Sequence, residues 1–287
     1  MKRGVFAVLV VAGCRGGSPP STAPAEPAAA VSTAVDATPD VDAADGGPGD
    51  ASSSSSSVPP LAGFFESLAV AGHPDAFVSL PTGATGRRPV VVVIHGAGDR
   101  PDWQCGGWRR ATGERAFVVC PTGKYAPGDS TKTDRRYTHA GGPELSAYID
   151  GALEALAARY PQYVDAERPL LAGFSLGSYA ILAIAVAHPD RFPRIALVEG
   201  ATSQLDDGRA RAFLKAGGRR VLFGCGQKAC EMAAKAAAAR LARVGLEAHV
   251  AYAQVDHTFN PPLEDAVHAE LAWWVEGDAR WEAGDGG

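Results

Sequence analysis

LLAGFSLGSYA, residues 170–180, is the stretch on which the reading of the whole chain turns. Leu170 to Phe174 is apolar and strand-like, and the run SYAILAIAVAH that follows Gly177 has the composition of a helix. Between them Gly173, Ser175 and Gly177 fit the pattern G-x-S-x-G. After a strand and before a helix, that pattern makes a sharp turn that lifts a serine clear of its neighbours. Glycine suits such a turn because backbone passing close to backbone leaves no room for a Cβ. Ser175 then has two readings. It is a nucleophile, or it is a small polar N-cap, a role serine commonly fills. A five-residue pattern with three fixed positions recurs by chance, so the rest of the chain has to choose.

The chain begins MKRGVFAVLVVAGC, with Lys2 and Arg3 ahead of an apolar run from Val5 to Val11. That run is too short to cross a bilayer as a helix, so residues 1–14 are expected to be an export signal. Val11-Ala12-Gly13-Cys14 resembles a bacterial lipobox, which implies that Cys14 becomes the acylated first residue of the mature protein. Lipid on that cysteine would tether a soluble domain to the membrane, on the extracytoplasmic side of the cell envelope. The alternative is a plain secretory signal with a chance cysteine. Residues 15–60 are Ala, Pro, Ser, Gly and Asp, with serine throughout Ser52 to Ser57. So little apolar area cannot offset the entropy of ordering, and a flexible tether is expected there. Residues 61–277 are enough for one well-cored domain, with 278–287 as a flexible tail. A net charge of −5 offers no basic surface for nucleic acid.

Setting Cys14 aside from the five cysteines leaves Cys105, Cys120, Cys225 and Cys230. An even remainder in an exported chain suggests disulfides. Cys225 and Cys230 flank the short loop GQKA, and Cys105 and Cys120 flank one helix-to-strand connection, so these are the expected pairs. Zinc is the competing reading, but neither pair has C-x₂-C spacing and no histidine completes a set. No metal and no cofactor are expected.

Within the domain, PVVVVIHG (residues 89–96) is an unbroken β-branched run suited to a central parallel strand buried on both faces. Apolar residues at Leu145, Ile149, Leu153 and Leu156 keep helical spacing. Strands are expected at AFVVCP, PLLAGF, RIALVEG, RRVLFGC and EAHVAYA, with helices between them and a last helix over Leu263 to Val275. AFVSLP and part of ESLAVAG supply antiparallel edge strands. Regular alternation of strand and helix predicts a mostly parallel central sheet with helices on both faces.

This order resembles the α/β-hydrolase fold from about Leu61 to Trp274. HGAG follows the first buried strand, GFSLG a later one, and His257 the last strand. Enzymes of that fold keep the chain order nucleophile, acid, histidine. The resemblance implies Ser175 as nucleophile and His257 as its base. His73, His95, His139, His188, His249 and His268 do not follow a late strand in this way, and His95 reads as structural. The tetrahedral oxyanion would be held by the N–H of Leu176 and of Ala97, with Gly98 as the alternative to Ala97.

The acid departs from the pattern. Many relatives carry an Asp in the loop after the strand that here reads RRVLFGC, and this chain has Gly226, Gln227, Lys228 and Ala229 there. Some relatives draw the acid from the preceding strand, whose end here is Glu199. A glutamate closing a buried strand is unusual unless paired, so Glu199 is the expected acid. Glu231 comes next, Asp206 and Asp207 follow, and Asp256 is last because it adjoins His257. Few residues separate Glu199 from Val221, so no lid domain is expected. Trp103, Trp108, Tyr125, Arg135, Arg136 and Tyr137 fall in loops near the expected site; any of them could line a pocket, but ordinary surface or packing is the reading favoured for each.

The expected activity is that of an extracytoplasmic serine hydrolase, a carboxylesterase acting on a small-molecule or polymer ester. The sequence resembles lidless esterases near the feruloyl esterase and polyhydroxyalkanoate depolymerase groups. A peptidase of the same fold is the enzymatic alternative, and thioesterase or lactonase chemistry would use the same groups. A catalytically inactive binding module at the cell surface is the alternative outside enzymes. Replacing Cys14 by Ser is expected to release the protein from membranes or block its maturation, as read by membrane fractionation and mass spectrometry of the mature N-terminus. A mature N-terminus beyond Cys14 would refute the tether.

Overall fold

In the computed structural model residues 58–282 are described. The export signal assigned to residues 1–14, and all but the last residues of the tether, lie outside them. The organising element is β3 (Arg88–Ile94), whose valines alternate between two hydrophobic cores. Val90, Val92 and Ile94 face one core, and Val91 and Val93 face the other. Both faces of the strand are buried, which explains why its sequence reads as an unbroken apolar run.

Ahead of β3, strands β1 (Phe65–Leu68) and β2 (Ala76–Ser79) pair antiparallel. After it come α1 (Pro101–Ala111), with proline in its first turn, and β4 (Phe117–Cys120). Next are α2 (Gly142–Arg159), β7 (Val164–Phe174) and α3 (Leu176–Ala187), once the ribbon β5 (Lys124–Tyr125) and β6 (Tyr137–Thr138) is counted. The last part runs β8 (Arg194–Val198), α4 (Asp207–Lys215), β9 (Arg220–Cys225), α5 (Lys228–Arg243) and β10 (Glu247–Tyr252). Helices α6 (Pro261–Ala269), α7 (Leu271–Val275) and α8 (Ala279–Glu282) finish the described chain.

The large sheet has the order β1-β2-β4-β3-β7-β8-β9-β10. From β4 to β10 every neighbouring pair is parallel, and only β1–β2 and β2–β4 are antiparallel. Helices α2, α3, α4 and α5 bury residues such as Leu156, Ile181, Phe213 and Leu241 against one face. On the other face α1, α6 and α7 bury Trp108, Leu263 and Trp274. This is the mostly parallel, doubly covered α/β-hydrolase architecture that the resemblance implies. Because β3, β7, β8, β9 and β10 lie side by side and point the same way, the segments that follow them meet along one sheet edge. Between β8 and β9 only α4 intervenes, so no lid domain is inserted there.

The structure departs from the sequence reading in four places. The polar stretch after β4 contains the ribbon β5–β6, tied to the segment after β3 by paired Asp99 and Tyr137 backbone bonds of 2.9 and 3.2 Å. The last helix is two, α6 and α7, separated at Glu270. Trp103 and Trp108 lie on α1 and not in a loop, and Trp108 is fully buried against Phe259 and Trp274, so it lines no pocket. Residues 278–282 are not a free tail. Trp281 is buried, and the Arg280 guanidinium bonds Asp278 at 2.6 Å and the carbonyls of Glu167 and Arg168. A large apolar ring and a cation beside open carbonyls give this segment enough to gain by docking.

Both expected cysteine pairs are joined: Cys105–Cys120 links α1 to β4, and Cys225–Cys230 links the end of β9 to the first turn of α5. No helix among the described residues is long and apolar enough to cross a membrane. Cys105–Cys120 closes a 15-residue separation, against five for the other bridge. Replacing Cys105 and Cys120 by Ser is therefore expected to lower unfolding free energy by about 3 kcal/mol in the chain-entropy account. Denaturant titration of both double-serine variants checks this, and a larger loss at the shorter loop would contradict it.

Candidate active site

Ser175 stands between β7 and α3 with φ 51° and ψ −117°, a region that side-chain-bearing residues seldom occupy. The neighbours hold it there. Its N–H donates to Val198 O at 2.8 Å, and its carbonyl accepts from Ser178 N at 3.0 Å. The glycines of the motif are required by contact: a Cβ on Gly177 would lie 2.0 Å from Ile94 O, and one on Gly173 would lie 2.6 Å from Gly177 O. These approaches seat the start of α3 on the ends of β7 and β3. Ser175 does occupy the N-cap position of α3, but its side chain makes no capping hydrogen bond. Its Oγ lies instead 2.9 Å from His257 Nε2.

His257 follows β10 in a loop fastened to the end of β9. Ala253 N donates to Cys225 O at 3.1 Å, and Val255 N donates to Gly226 O at 3.0 Å. Asp256, with φ 65°, makes the turn that presents the imidazole. The ring of Phe174 packs beside it at 5.1 Å between centroids, and 46% of the histidine side chain remains exposed. Its Nδ1 lies 2.9 Å from Glu199 Oε2.

Glu199 directly follows Val198, the last residue of β8, and only 2% of its side chain is exposed. A buried carboxylate is costly unless its oxygens are satisfied. Both are. Oε2 faces His257, and Oε1 accepts the N–H of Gly226 at 2.6 Å and of Gln227 at 2.9 Å. Gln227 is the N-cap residue of α5, so the carboxylate also sits at the positive end of that helix. These two donors escaped the sequence reading. The signal available was the loop GQKA at a helix start, in the place where an acid was sought.

The competing carboxylates are engaged elsewhere. Glu231 pairs with Lys228 at 2.5 Å and Lys235 at 2.6 Å, and hydrogen bonds from these lysines hold its carboxyl below the usual range. Asp206 caps α4 by accepting Arg209 N at 2.9 Å, which likewise lowers its carboxyl. Asp207 lies 3.3 Å from Arg240. The sulfurs of Cys225 and Cys230 lie within 4.8 Å of a Glu199 oxygen and of each other. They are joined in a disulfide, so neither offers a thiolate to a metal.

The segment after β3 passes directly beside the serine: a Cβ on Gly96 would lie 3.2 Å from Ser175 Cβ. Ala97 follows in an exposed turn, and Gly98 has φ 62° with Asp129 packed against it. Leu176 is the first residue of α3, where N–H groups have no partner inside the helix. His95 is buried, with ring nitrogens 2.8 Å from Gly96 O and 2.9 Å from Thr122 O, an arrangement that anchors the turn. Its ring neighbour His139, 4.1 Å away, is held well below the usual histidine value by burial and by His95. Tyr125 and Tyr137 face each other on the ribbon beside this turn, and Arg136 lies over the exposed ring of Trp103 at 4.4 Å.

Among solved structures the chain is similar to the S-formylglutathione hydrolase of Staphylococcus aureus (14% identity, TM-score 0.50). That match covers 76% of this chain and 99% of the other. It is also similar to poly(aspartic acid) hydrolase-1 of Sphingomonas sp. KT-1 (14% identity, TM-score 0.50), over 74% of this chain and all of the other. At such identities these likenesses speak to the fold alone. No curated protein gives a significant sequence match. Residues 67–286 match the family described as "Putative esterase", and with most of its length inside that match the chain belongs to this esterase family.

Proposed function

We propose that this protein is an exported serine carboxylesterase that forms an acyl-enzyme on Ser175. The observation that carries the reading is the unbroken hydrogen-bonded series from Glu199 through His257 to Ser175, with both contacts at 2.9 Å. As Ser175 Oγ attacks an ester carbonyl, its proton passes to His257 Nε2. The imidazolium that forms faces the Glu199 carboxylate, which favours it and fixes the ring. The carbonyl oxygen becomes an oxyanion held by the N–H groups of Leu176 and Ala97. Collapse of the intermediate breaks the C–O bond, and His257 returns the proton to the departing alcohol. Water then attacks the acyl-enzyme by the same route and releases the carboxylic acid.

The substrate is an accessible ester, small or polymeric, because only α4 separates β8 from β9 and the His257 side chain beside Ser175 is 46% exposed. The reading as an inactive binding module draws its support from the missing acid after β9, and Glu199 2.9 Å from His257 supports the enzyme reading over it. Export is supported by the signal-like start of the sequence and by two disulfides, which persist in oxidising compartments. Attachment through a lipidated Cys14 is part of the same proposal.

Ser175→Ala is expected to keep the fold and lose several orders of magnitude of turnover on a p-nitrophenyl ester, together with labelling by a fluorophosphonate. Retention of more than a few per cent of wild-type turnover would remove Ser175 from the role. Glu199→Gln is expected to lower kcat on the order of 10³- to 10⁴-fold, because the amide cannot offset the imidazolium charge. Glu231→Gln should change it little. Equal losses in the two glutamine variants would show that Glu199 is not the acid.

A further inference from the structure

We infer that the disulfide-closed loop Cys225–Cys230 is a positioning device that sets acid and base against each other, an inference that rests on the catalytic reading above. The peptide groups around Gly226 work in both directions. The N–H groups of Gly226 and Gln227 donate to Glu199 Oε1 at 2.6 and 2.9 Å. The carbonyls of Cys225 and Gly226 accept Ala253 N and Val255 N, in the segment that leads to His257. Glu199 N also donates to Gly224 O at 2.8 Å, so the acid is registered to this strand end by main chain and side chain alike. A Cβ on Gly226 would lie 2.1 Å from Asp256 O, so the loop and the histidine turn are in direct backbone contact. Shifting residues 225–227 would move both partners of the Nδ1 hydrogen bond at once.

The disulfide fixes that segment. Cys225 is the last residue of β9 and Cys230 lies in the first turn of α5, so the bridge ties the sheet edge to the helix whose start supplies the donors. Main-chain donors are the only groups that satisfy Glu199 Oε1 among the described contacts, and their direction depends on how the first turn of α5 leaves the strand. Opening the bridge by a dithiol adds two electrons and two protons, giving two cysteine thiols and the cyclic disulfide of the reagent. The chain between them then loses its closure, and the carboxylate loses fixed donors while remaining in place. The result is a slower chemical step with ground-state binding unchanged.

The test compares kcat and KM on one p-nitrophenyl ester for wild type, Cys225→Ser/Cys230→Ser and Cys105→Ser/Cys120→Ser, each checked for fold by circular dichroism. The Cys225/Cys230 variant should lose about ten- to hundredfold in kcat with KM little changed, the scale set by charge-assisted hydrogen bonds at the acid. The Cys105/Cys120 variant should lose stability and keep its kcat, since its bridge joins α1 to β4 and supplies no hydrogen bond to Glu199 or to His257. A second pair decides the matter if the first variant does not fold. Gln227→Ala keeps the backbone N–H and Gln227→Pro removes it, so kcat of the Pro variant should fall about tenfold below that of the Ala variant. Wild-type kcat in the Cys225/Cys230 variant, or equal kcat in the two Gln227 variants, overturns the inference. Failure of wild-type Ser175 to take a fluorophosphonate label would instead overturn the catalytic reading itself.

Discussion

A carboxylate carried into the end of a central strand must find partners for both oxygens, and the way Glu199 finds them organises the edge of the sheet. One oxygen takes two backbone N–H groups from the loop after β9, and the other takes the imidazole of His257. The donors fix the loop, the loop's carbonyls fix the segment before His257, and the histidine meets Ser175. Remove the anion and two backbone donors at a helix start lose their acceptor. Remove the donors and a buried charge is left with one partner. Each half is therefore stable only with the other in place.

Parallel strands make this arrangement possible. Five adjacent strands deliver their C-terminal ends to one edge, and each contributes one part: the turn with Ala97, the Ser175 elbow, Glu199, the donor loop and His257. Strain collects at the same edge. Ser175, Glu199, Ala201 and Asp256 all have φ between 51° and 65° although none is glycine. Such conformations persist only where surrounding structure over-determines them. Here the hydrogen bonds from Ser175 N to Val198 O and from Glu199 N to Gly224 O do so.

With Glu199 as the proposed acid, its place after β8 rather than β9 exchanges one kind of group for another. Where an aspartate side chain would serve in many enzymes of this fold, this chain offers main-chain N–H groups and a disulfide. The longer glutamate side chain, starting one strand nearer the serine, spans the difference. Lysines 228 and 235 meanwhile occupy Glu231, the carboxylate closest in sequence to the vacated place.

What the sequence determined by itself is what depends on local pattern. The β-branched run of β3, the glycines around Ser175 and the alternation of strand and helix each follow from sterics and burial acting on neighbours in the chain, so the fold and the serine elbow were legible. The two cysteine pairs were legible from spacing for the same reason. Glu199 was inferred from where it stands at a strand end, but its preference over Glu231 rests on hydrogen bonds between residues distant in sequence. The roles of the Gly226 and Gln227 amides were not legible, because a backbone N–H carries no side-chain signature and only folding aims it. Trp108, placed in a loop near the site, is a core residue of α1, and Trp281 docks where a free tail was expected. In both cases the deciding quantity is which apolar surface lies opposite, and that is set only when the helices close over the sheet.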